Sequence, residues 1–304
     1  YKLASNPAGL YVIVNALCRD EQLKWSRKAL EEYSQVDHTN VINLLAQTVK
    51  EDEHPEEFRR QKEVSKNLWV TSCKENNNYA SFKQLRWSCL GYHYNWTKRA
   101  YQKDEHSAFP QDFATLCRNI ASSVVPNSSQ SCSSDSSNPH IFEHIKRSDK
   151  IDDILDYEPE AAIINYYPLS STMGGHLDDA EHNLSTPIVS ISLGRSALFL
   201  IGGRTKHEEP KVLLLRSGDA IIMSNESRLC YHGVPVIIPE QCESALNMTV
   251  HEHDIIQNPC TSIEYQYIID YLRSNRINMN SRQVRKDVTV DNWVDKTGTG
   301  YVKY

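Results

Sequence analysis

Two residue types that bind metals stand two positions apart in His176-Leu177-Asp178. In an extended segment, residues i and i+2 point to the same face, so this imidazole and this carboxylate can converge on one ion. With a second histidine from elsewhere, the pair would form a facial set of three ligands that leaves other metal positions open. The pattern alone has little weight, because about one His-x-Asp is expected by chance and a surface turn is the alternative.

A second polar pattern lies near the C-terminus, in Arg276-x-Asn278-x-x-x-Arg282. The three named residues are separated by even numbers, so on a strand all three face one way. Two arginines that point into a β-barrel would be strongly desolvated unless they met a dianion, and a small dicarboxylate fits that demand. Ordinary surface salt bridging is the alternative. Further candidates are Asn165-x-Tyr167, at the end of an apolar segment, and His232, which follows the β-prone segment 220–223.

The composition limits the class of protein. With 39% hydrophobic and 24% charged residues among 304, the chain is predicted to be globular, and it has no apolar run long enough for a membrane span. A net charge of −6 gives no general attraction to nucleic acid, so any such contact must be local. Eight scattered cysteines without a C-x-x-C pair indicate reduced thiols and an intracellular protein. Since the sequence begins at Tyr1, we expect a trimmed chain, which leaves nucleus, mitochondrion and cytoplasm open.

Short β-prone segments separated by turns dominate the second half of the chain. Their close spacing predicts a sandwich or barrel over residues 155–286. Residues 1–154 are predicted to be a mostly helical extension with a Ser-rich flexible loop at about 122–138, and residues 287–304 a tail. The predicted strands are 10–14, 161–167, 188–193, 197–201, 212–215, 220–223, 234–238 and 276–279. Three helices are also predicted: one after Asp20, one that contains Phe113, Leu116 and Ile120, and one that starts at a capping box, Thr261 to Glu264.

Taken in order, these motifs resemble the AlkB family of Fe(II)/2-oxoglutarate-dependent dioxygenases. The resemblance covers residues 9 to 286 and implies an α+β protein with a double-stranded β-helix, or jelly-roll, core. It is strongest toward one animal subfamily. The segments that carry it are Arg86-Trp87, Gly91 to Trp96, Asn165-Tyr166-Tyr167, His176-x-Asp178, Ser217-Gly218-Asp219, His232 and Arg276-x-Asn278-x-x-x-Arg282.

The resemblance also implies a set of ligands. Fe(II) would be held at the catalytic centre by His176, Asp178 and His232, with 2-oxoglutarate and O2 as cosubstrates. Two positions depart from the family: Asn280 replaces the usual threonine, and Ala180 stands where bacterial members carry an acidic residue that reads the base. The residues expected to bind 2-oxoglutarate are Arg276 at its distal carboxylate, Asn165, Tyr167 and Asn278 by hydrogen bonds, and Arg282 near the carboxylate beside the iron.

An aromatic and basic segment at about 83–108 resembles the nucleotide-recognition lid of the family. Aromatic side chains hold an extruded base, and nearby cations hold its phosphates. An aromatic core strand is the alternative reading, nearly as well supported for Tyr94 and Trp96. Trp87 and Tyr92 are the favoured base contacts, and Tyr94 is a further candidate; Lys98, Arg99 and Lys103 follow them.

The favoured function is demethylation or oxidation of a methylated base in tRNA or DNA, with N1-methyladenine, 5-methylcytosine and N6-methyladenine as candidates. Because a base inside a duplex cannot reach a buried metal, we expect unpaired or distorted nucleic acid as the partner, bound by a monomer. Two alternatives remain: a protein hydroxylase or demethylase, and a nucleic-acid-binding protein without turnover. The aromatic and basic lid argues against the first, and the complete metal triad with both arginines argues against the second.

Overall fold

The structure is a computed structural model that describes residues 7–34, 38, 56, 85–125, 154–239 and 265–285. Short strands dominate these ranges. The strands are β1 Leu10–Ile13, β2 Trp87–Asn95, β3 Ala100–His106, β4 Ala161–Pro168, β5 Met173–His176, β6 Ile188–Gly194, β7 Ala197–Ile201, β8 Lys211–Leu215, β9 Ala220–Met223, β10 His232–Ile237 and β11 Asn275–Arg282; the α-helices are α1 Arg19–Glu31, α2 Gln111–Ser122 and α3 Gln266–Ser274.

The strands form two antiparallel sheets. The larger sheet has seven strands in the order β1-β9-β6-β11-β4-β2-β3, and the smaller has four in the order β5-β10-β7-β8. Strand β11 is central, because it pairs with β4 along its whole length and with β6 from Arg276 to Arg282. This arrangement confirms the predicted jelly-roll core.

Strand β11 shows how the larger sheet separates core from site. Ile277 and Met279 are fully buried in the main hydrophobic cluster, together with apolar residues of α1, α2 and α3. Alternation along the strand turns Arg276, Asn278 and Arg282 to the opposite face. One face of the sheet is therefore closed by helices, and the other is left for polar side chains.

The helices pack on that outer face through aromatic contacts. Trp25 of α1 and Phe113 of α2 lie with ring centroids 5.5 Å apart, and both are buried. The start of α1 is capped by Glu21, whose carboxylate accepts a hydrogen bond from the Cys18 N–H at 2.9 Å. Among the described helices, none has the length and apolar character needed to cross a membrane.

Residues 1–154, predicted to be mostly helical, also contribute strands to the larger sheet. Strands β1, β2 and β3 all join the larger sheet, β1 beside β9 and β2 beside β4. These pairings join segments distant in sequence, so local periodicity did not indicate them. The Ser-rich loop beyond residue 125, the capping box at 261–264 and the tail lie outside the described residues.

The buried side chain of Gln22 connects α1 to the turn between β8 and β9. Its Nε2 donates to the Leu17 carbonyl at 3.1 Å, and its Oε1 accepts from the Ser217 hydroxyl at 2.7 Å. Ser217 Oγ in turn accepts from the Gly194 N–H at 3.0 Å. The contact fixes the turn against the end of β6.

We therefore predict that Gln22→Ala lowers the free energy of unfolding by about 1 to 3 kcal/mol, because it leaves buried polar groups without partners. Urea unfolding followed by circular dichroism measures the change. The control is Gln111→Ala, at an exposed position at the start of α2. Equal midpoints for the two variants would contradict this role of Gln22.

Candidate metal and cosubstrate site

Two histidines face each other across the smaller sheet. His176 ends β5 and His232 begins β10, and the two residues are directly paired. Their ring centroids lie 4.4 Å apart. The Asp178 carboxylate completes the group, with oxygens 3.6 Å from His176 Nε2 and 3.9 Å from His232 Nε2. One potential ligand atom from each residue lies within 4.8 Å of the others, so the three can bind a single ion.

Backbone carbonyls orient both imidazoles. His176 Nδ1 lies 2.9 Å from the Gly174 carbonyl, and His232 Nδ1 lies 3.0 Å from the Cys230 carbonyl. Because a carbonyl only accepts, each Nδ1 carries the proton and each Nε2 keeps its lone pair for a metal. Burial lowers the pKa of His232, which favours the neutral ring that a metal needs.

The carboxylate of the triad is held in its ionised form. Burial alone would raise the pKa of Asp178, but the positive charge of Arg282, followed by His232, His176 and Arg228, holds it well below its usual range. Arg282 Nη2 lies 3.2 Å from Asp178 Oδ2. The site thus offers one anionic oxygen ligand and two nitrogen ligands, a donor set that suits Fe(II).

A pocket opens beside the triad, between the two sheets. Its empty volume is about 540 Å³ including the mouth. His176 is 38% exposed and His232 only 7%, which places the opening on the His176 side. The lining residues are Asn165, Tyr167, Met173, His176, Ile188, Ser190, Phe199, Leu215, Ile221, Met223, His232, Gly233, Val234, Arg276, Asn278 and Asn280.

Arg276 brings a positive charge to the wall of this pocket, although it is only 1% exposed. It donates to the Ser192 hydroxyl at 2.7 Å and to the Arg195 carbonyl at 3.3 Å, which are both neutral acceptors. Its Nε has no hydrogen-bond partner among the described residues. Burial lowers the pKa of Arg276 to about 10, so the group stays charged at neutral pH. An anionic ligand would satisfy this charge.

Three other predicted residues lie on the same wall. Tyr167 is paired with Arg276 and Asn165 with Asn278 between β4 and β11. Burial raises the pKa of Tyr167 to about 12, so its hydroxyl remains a hydrogen-bond donor. Asn278 Nδ2 donates to Ser190 Oγ at 2.8 Å, and Asn165 Nδ2 lies 3.5 Å from Asn278 Oδ1. These donors, with Arg276, suit an oxygen-rich dianion.

Arg282 lies beside the triad, and its expected role near the carboxylate beside the iron stays a prediction. It is absent from the pocket lining, and its guanidinium contacts Asp178 and Glu181 behind the triad. Glu181 and Arg228, which form an ion pair at 2.9 Å, carry no recognisable sequence signal. Glu181 follows Asp178 at odd spacing, and Arg228 lies in an isolated 3-10 turn, Ser227–Leu229.

The aromatic side chains of the predicted lid make several ring contacts with one another. We use the name aromatic cluster for Trp87, Tyr94, Trp96 and Tyr101. Ring centroids are 5.1 Å apart for Trp87 and Trp96, 4.8 Å for Tyr94 and Trp96, and 5.4 Å for Tyr94 and Tyr101. Trp96 is 45% exposed, which excludes a core role for its side chain.

Tyr92 packs, like Tyr94, against the small buried group that contains Tyr101, but its ring contacts differ. Its ring stacks on His106 at 5.6 Å, and the Arg285 guanidinium lies 5.8 Å from its centroid. Trp87, by contrast, pairs with Asn165 and so shares the face of the sheet that lines the pocket. Trp87 therefore lies nearer to the site than Tyr92 by strand register.

The family comparison agrees with this geometry. Residues 9–282 match the model of the 2OG-Fe(II) oxygenase superfamily. The chain belongs to this superfamily. Membership implies Fe(II), 2-oxoglutarate and O2 as metal and cosubstrates, and the triad and the buried Arg276, whose Nε has no partner among the described residues, fit them.

Individual relatives in this oxygenase superfamily include AlkB homologues. The human nucleic acid dioxygenase ALKBH1 is 33% identical, over 93% of this chain and 66% of its own length. The DNA N(6)-methyladenine demethylase ALKBH1A of Arabidopsis thaliana is 29% identical, over 92% of this chain and 76% of its own length. The chain thus spans about two thirds of the human relative. These matches confirm the AlkB-family resemblance, with animal AlkB homologue one as the similar subfamily.

A solved structure supports the fold of this oxygenase. The structure of OsALKBH1 aligns with a TM-score of 0.52 and 19% identity, over 92% of this chain and 99% of that one. At this identity the match establishes the jelly-roll architecture.

The triad generates a direct binding prediction. Asp178→Ala should weaken Mn(II) binding by more than about 100-fold, because even outer-shell partners of metal ligands contribute about 10- to 100-fold. Isothermal titration calorimetry without cosubstrate measures the affinity. His207→Ala, at an exposed position in the β7–β8 loop, is the control and should bind like the wild type. Equal affinity for both variants would exclude Asp178 as a ligand.

Proposed function

We propose that this chain is a nucleic acid dioxygenase that oxidises methyl groups on bases with Fe(II), 2-oxoglutarate and O2. The single observation that carries the proposal is the pocket in which two histidines of the His-Asp-His triad and a buried arginine with an unpartnered Nε lie on adjoining walls. Such a pocket fits one small dicarboxylate between a metal and a cation. The human and Arabidopsis relatives, and the tRNA demethylase abh1 of Schizosaccharomyces pombe, are named for activity on nucleic acids, which supports the substrate class.

The proposed roles follow from the chemistry of each side chain. His176, Asp178 and His232 hold the iron. When bound, the iron supplies the oxidising chemistry, which couples decarboxylation of 2-oxoglutarate to insertion of one oxygen atom from O2 into a methyl group. Arg276 binds the distal carboxylate with two N–H donors in a planar fork. The Tyr167 hydroxyl beside it donates a further hydrogen bond, and Asn165 and Asn278 orient the rest of the cosubstrate.

The aromatic cluster is the proposed base platform. Trp96 is the exposed member, and it is backed by Trp87 and Tyr94. Lys98 and Arg99 are exposed in the same β2–β3 hairpin and can contact phosphates. Under this proposal the methylated base stacks on Trp96, and Trp87 and Tyr94 support the Trp96 ring from behind. Tyr92 then has a packing role.

The preferred substrates under this proposal are unpaired or distorted. With a net charge of −6, the chain has few means to follow both strands of a regular duplex, so binding depends on a local platform. A methylated base in a tRNA loop or in bubbled DNA needs little unpairing energy, whereas a paired base costs a few kcal/mol to extrude. N1-methyladenine, N6-methyladenine and 5-methylcytosine are the candidate bases.

The decisive test compares one methylated base in a stem-loop, in a bubble and in a perfect duplex at fixed salt. Single-turnover product formation, measured by mass spectrometry of nucleosides, should be fast on the first two and slow on the duplex. Product formation must require 2-oxoglutarate. Equal rates on all three would reject the preference for unpaired substrates, and no product on any would reject the function.

Trp96 provides a mutational prediction for the same assay. Trp96→Ala should reduce kcat/KM by about 5- to 150-fold, since stacking on an aromatic side chain contributes about 1 to 3 kcal/mol per base. Trp96→Phe keeps an aromatic face and is the matched control, which should retain most of the activity. Mn(II) affinity should be unchanged in both. Full activity of Trp96→Ala would place the base elsewhere.

A further inference from the structure

Four charged side chains form a closed cluster behind the metal triad. Asp178, Glu181, Arg228 and Arg282 are each at most 11% exposed, and Glu181 has no solvent exposure at all. We call this group the charge cluster. Only Asp178 is also part of the triad, and Arg282 and Arg228 contact it directly.

The contacts of the charge cluster run in a ring. Arg282 uses both of its terminal nitrogens, with Nη2 3.2 Å from Asp178 Oδ2 and Nη1 3.1 Å from Glu181 Oε1. The second oxygen of Glu181 lies 2.9 Å from Arg228 Nη2. Arg228 closes the ring by donating through Nη1 to the main-chain carbonyl of Asp178, and its Nε donates to the Thr186 carbonyl at 3.1 Å.

The balance of charge in this ring bears on metal binding. Two carboxylates face two guanidiniums, so the cluster as a whole is neutral. Without Glu181, Asp178 would be the only carboxylate in a ring with two arginines. Arg282 would then compete fully with a divalent cation for Asp178 Oδ2, and charges interact strongly in a buried site. Glu181 offers Arg282 a second partner and thereby leaves the Asp178 carboxylate available.

The ring also holds a segment that has no regular structure. Asp178 lies between β5 and β6, where residues 177–187 form neither helix nor strand. Arg282 ends the rigid strand β11, and Arg228 sits in the 3-10 turn before β10. Both arginines reach Glu181, and Arg228 also binds the main chain of Asp178. Glu181 therefore anchors the loop that carries the carboxylate ligand to two fixed points of the fold.

We propose that Glu181 is a positioning residue for the metal, which shares the charge of Arg282 and, through Arg228, holds the Asp178 carboxylate toward the two imidazoles. This inference rests on the proposed metal ligands. It assigns Glu181 no contact with substrate or cosubstrate. Its consequence is that metal affinity, rather than fold stability alone, depends on a residue outside the triad.

The test measures Mn(II) affinity by calorimetry and thermal unfolding of the metal-free protein for a set of variants. Glu181→Gln removes the charge, and Glu181→Asp keeps it on a shorter side chain. The double variant Glu181→Gln/Arg228→Gln removes both members of one ion pair, so no unpaired Arg228 remains. The matched control is Glu160→Gln, since the Glu160 carboxylate is also largely buried and is paired with Arg285 at 2.5 Å.

Glu181→Gln and the double variant should each weaken Mn(II) binding by about 10- to 100-fold. Glu181→Asp should recover part of the loss, and Glu160→Gln should bind Mn(II) like the wild type even where its melting temperature falls. Wild-type affinity in either variant that replaces Glu181 with glutamine would overturn the proposal, as would failure of both to fold, which would make Glu181 a folding residue. A wild-type protein that binds no Mn(II) would instead reject the proposed metal site itself.

Discussion

The rest of the site depends on the interaction of the buried Arg276 guanidinium with an anionic ligand. Burying a cation between two sheets costs desolvation free energy unless an anion is paired with it. The hydrogen-bond acceptors of Arg276 within the described residues are both neutral. The pocket has this cation on one wall and the two histidines of the triad on another. A dicarboxylate that also binds a metal satisfies both, which is why the charge is tolerated inside the fold.

The two-faced strand β11 makes this possible. Its odd-numbered residues, such as Ile277 and Met279, are held under the helices, so the even-numbered residues have a fixed direction. A shift of one residue in the pairing with β4 would turn Arg276 and Asn278 into the helical core. The hydrophobic packing of α1, α2 and α3 therefore determines where the cosubstrate charge points.

The sequence was sufficient to predict features that depend on short spacing. The two-residue step from His176 to Asp178 and the even spacing along β11 indicated which side chains share a face. Contacts between distant segments left no such signal. Arg282 contacts Glu181, three residues past the ligand, as well as Asp178 itself. Strands β1 and β2 pair with β9 and β4, each across more than fifty residues of sequence. Exposure of Trp96 likewise depends on how the β2–β3 hairpin packs, which its composition alone could not decide.

The most direct measurement of the central claim is the equilibrium affinity of the Mn(II)-loaded protein for 2-oxoglutarate, with and without the Arg276 guanidinium. Arg276→Met should weaken 2-oxoglutarate binding by tens- to thousands-fold, because losing one partner of a buried charge pair costs about 2 to 5 kcal/mol. Binding of 2-oxobutyrate, which lacks the distal carboxylate, should change little. Unchanged affinity of Arg276→Met for 2-oxoglutarate would contradict the account, because the distal carboxylate would then be held by another group.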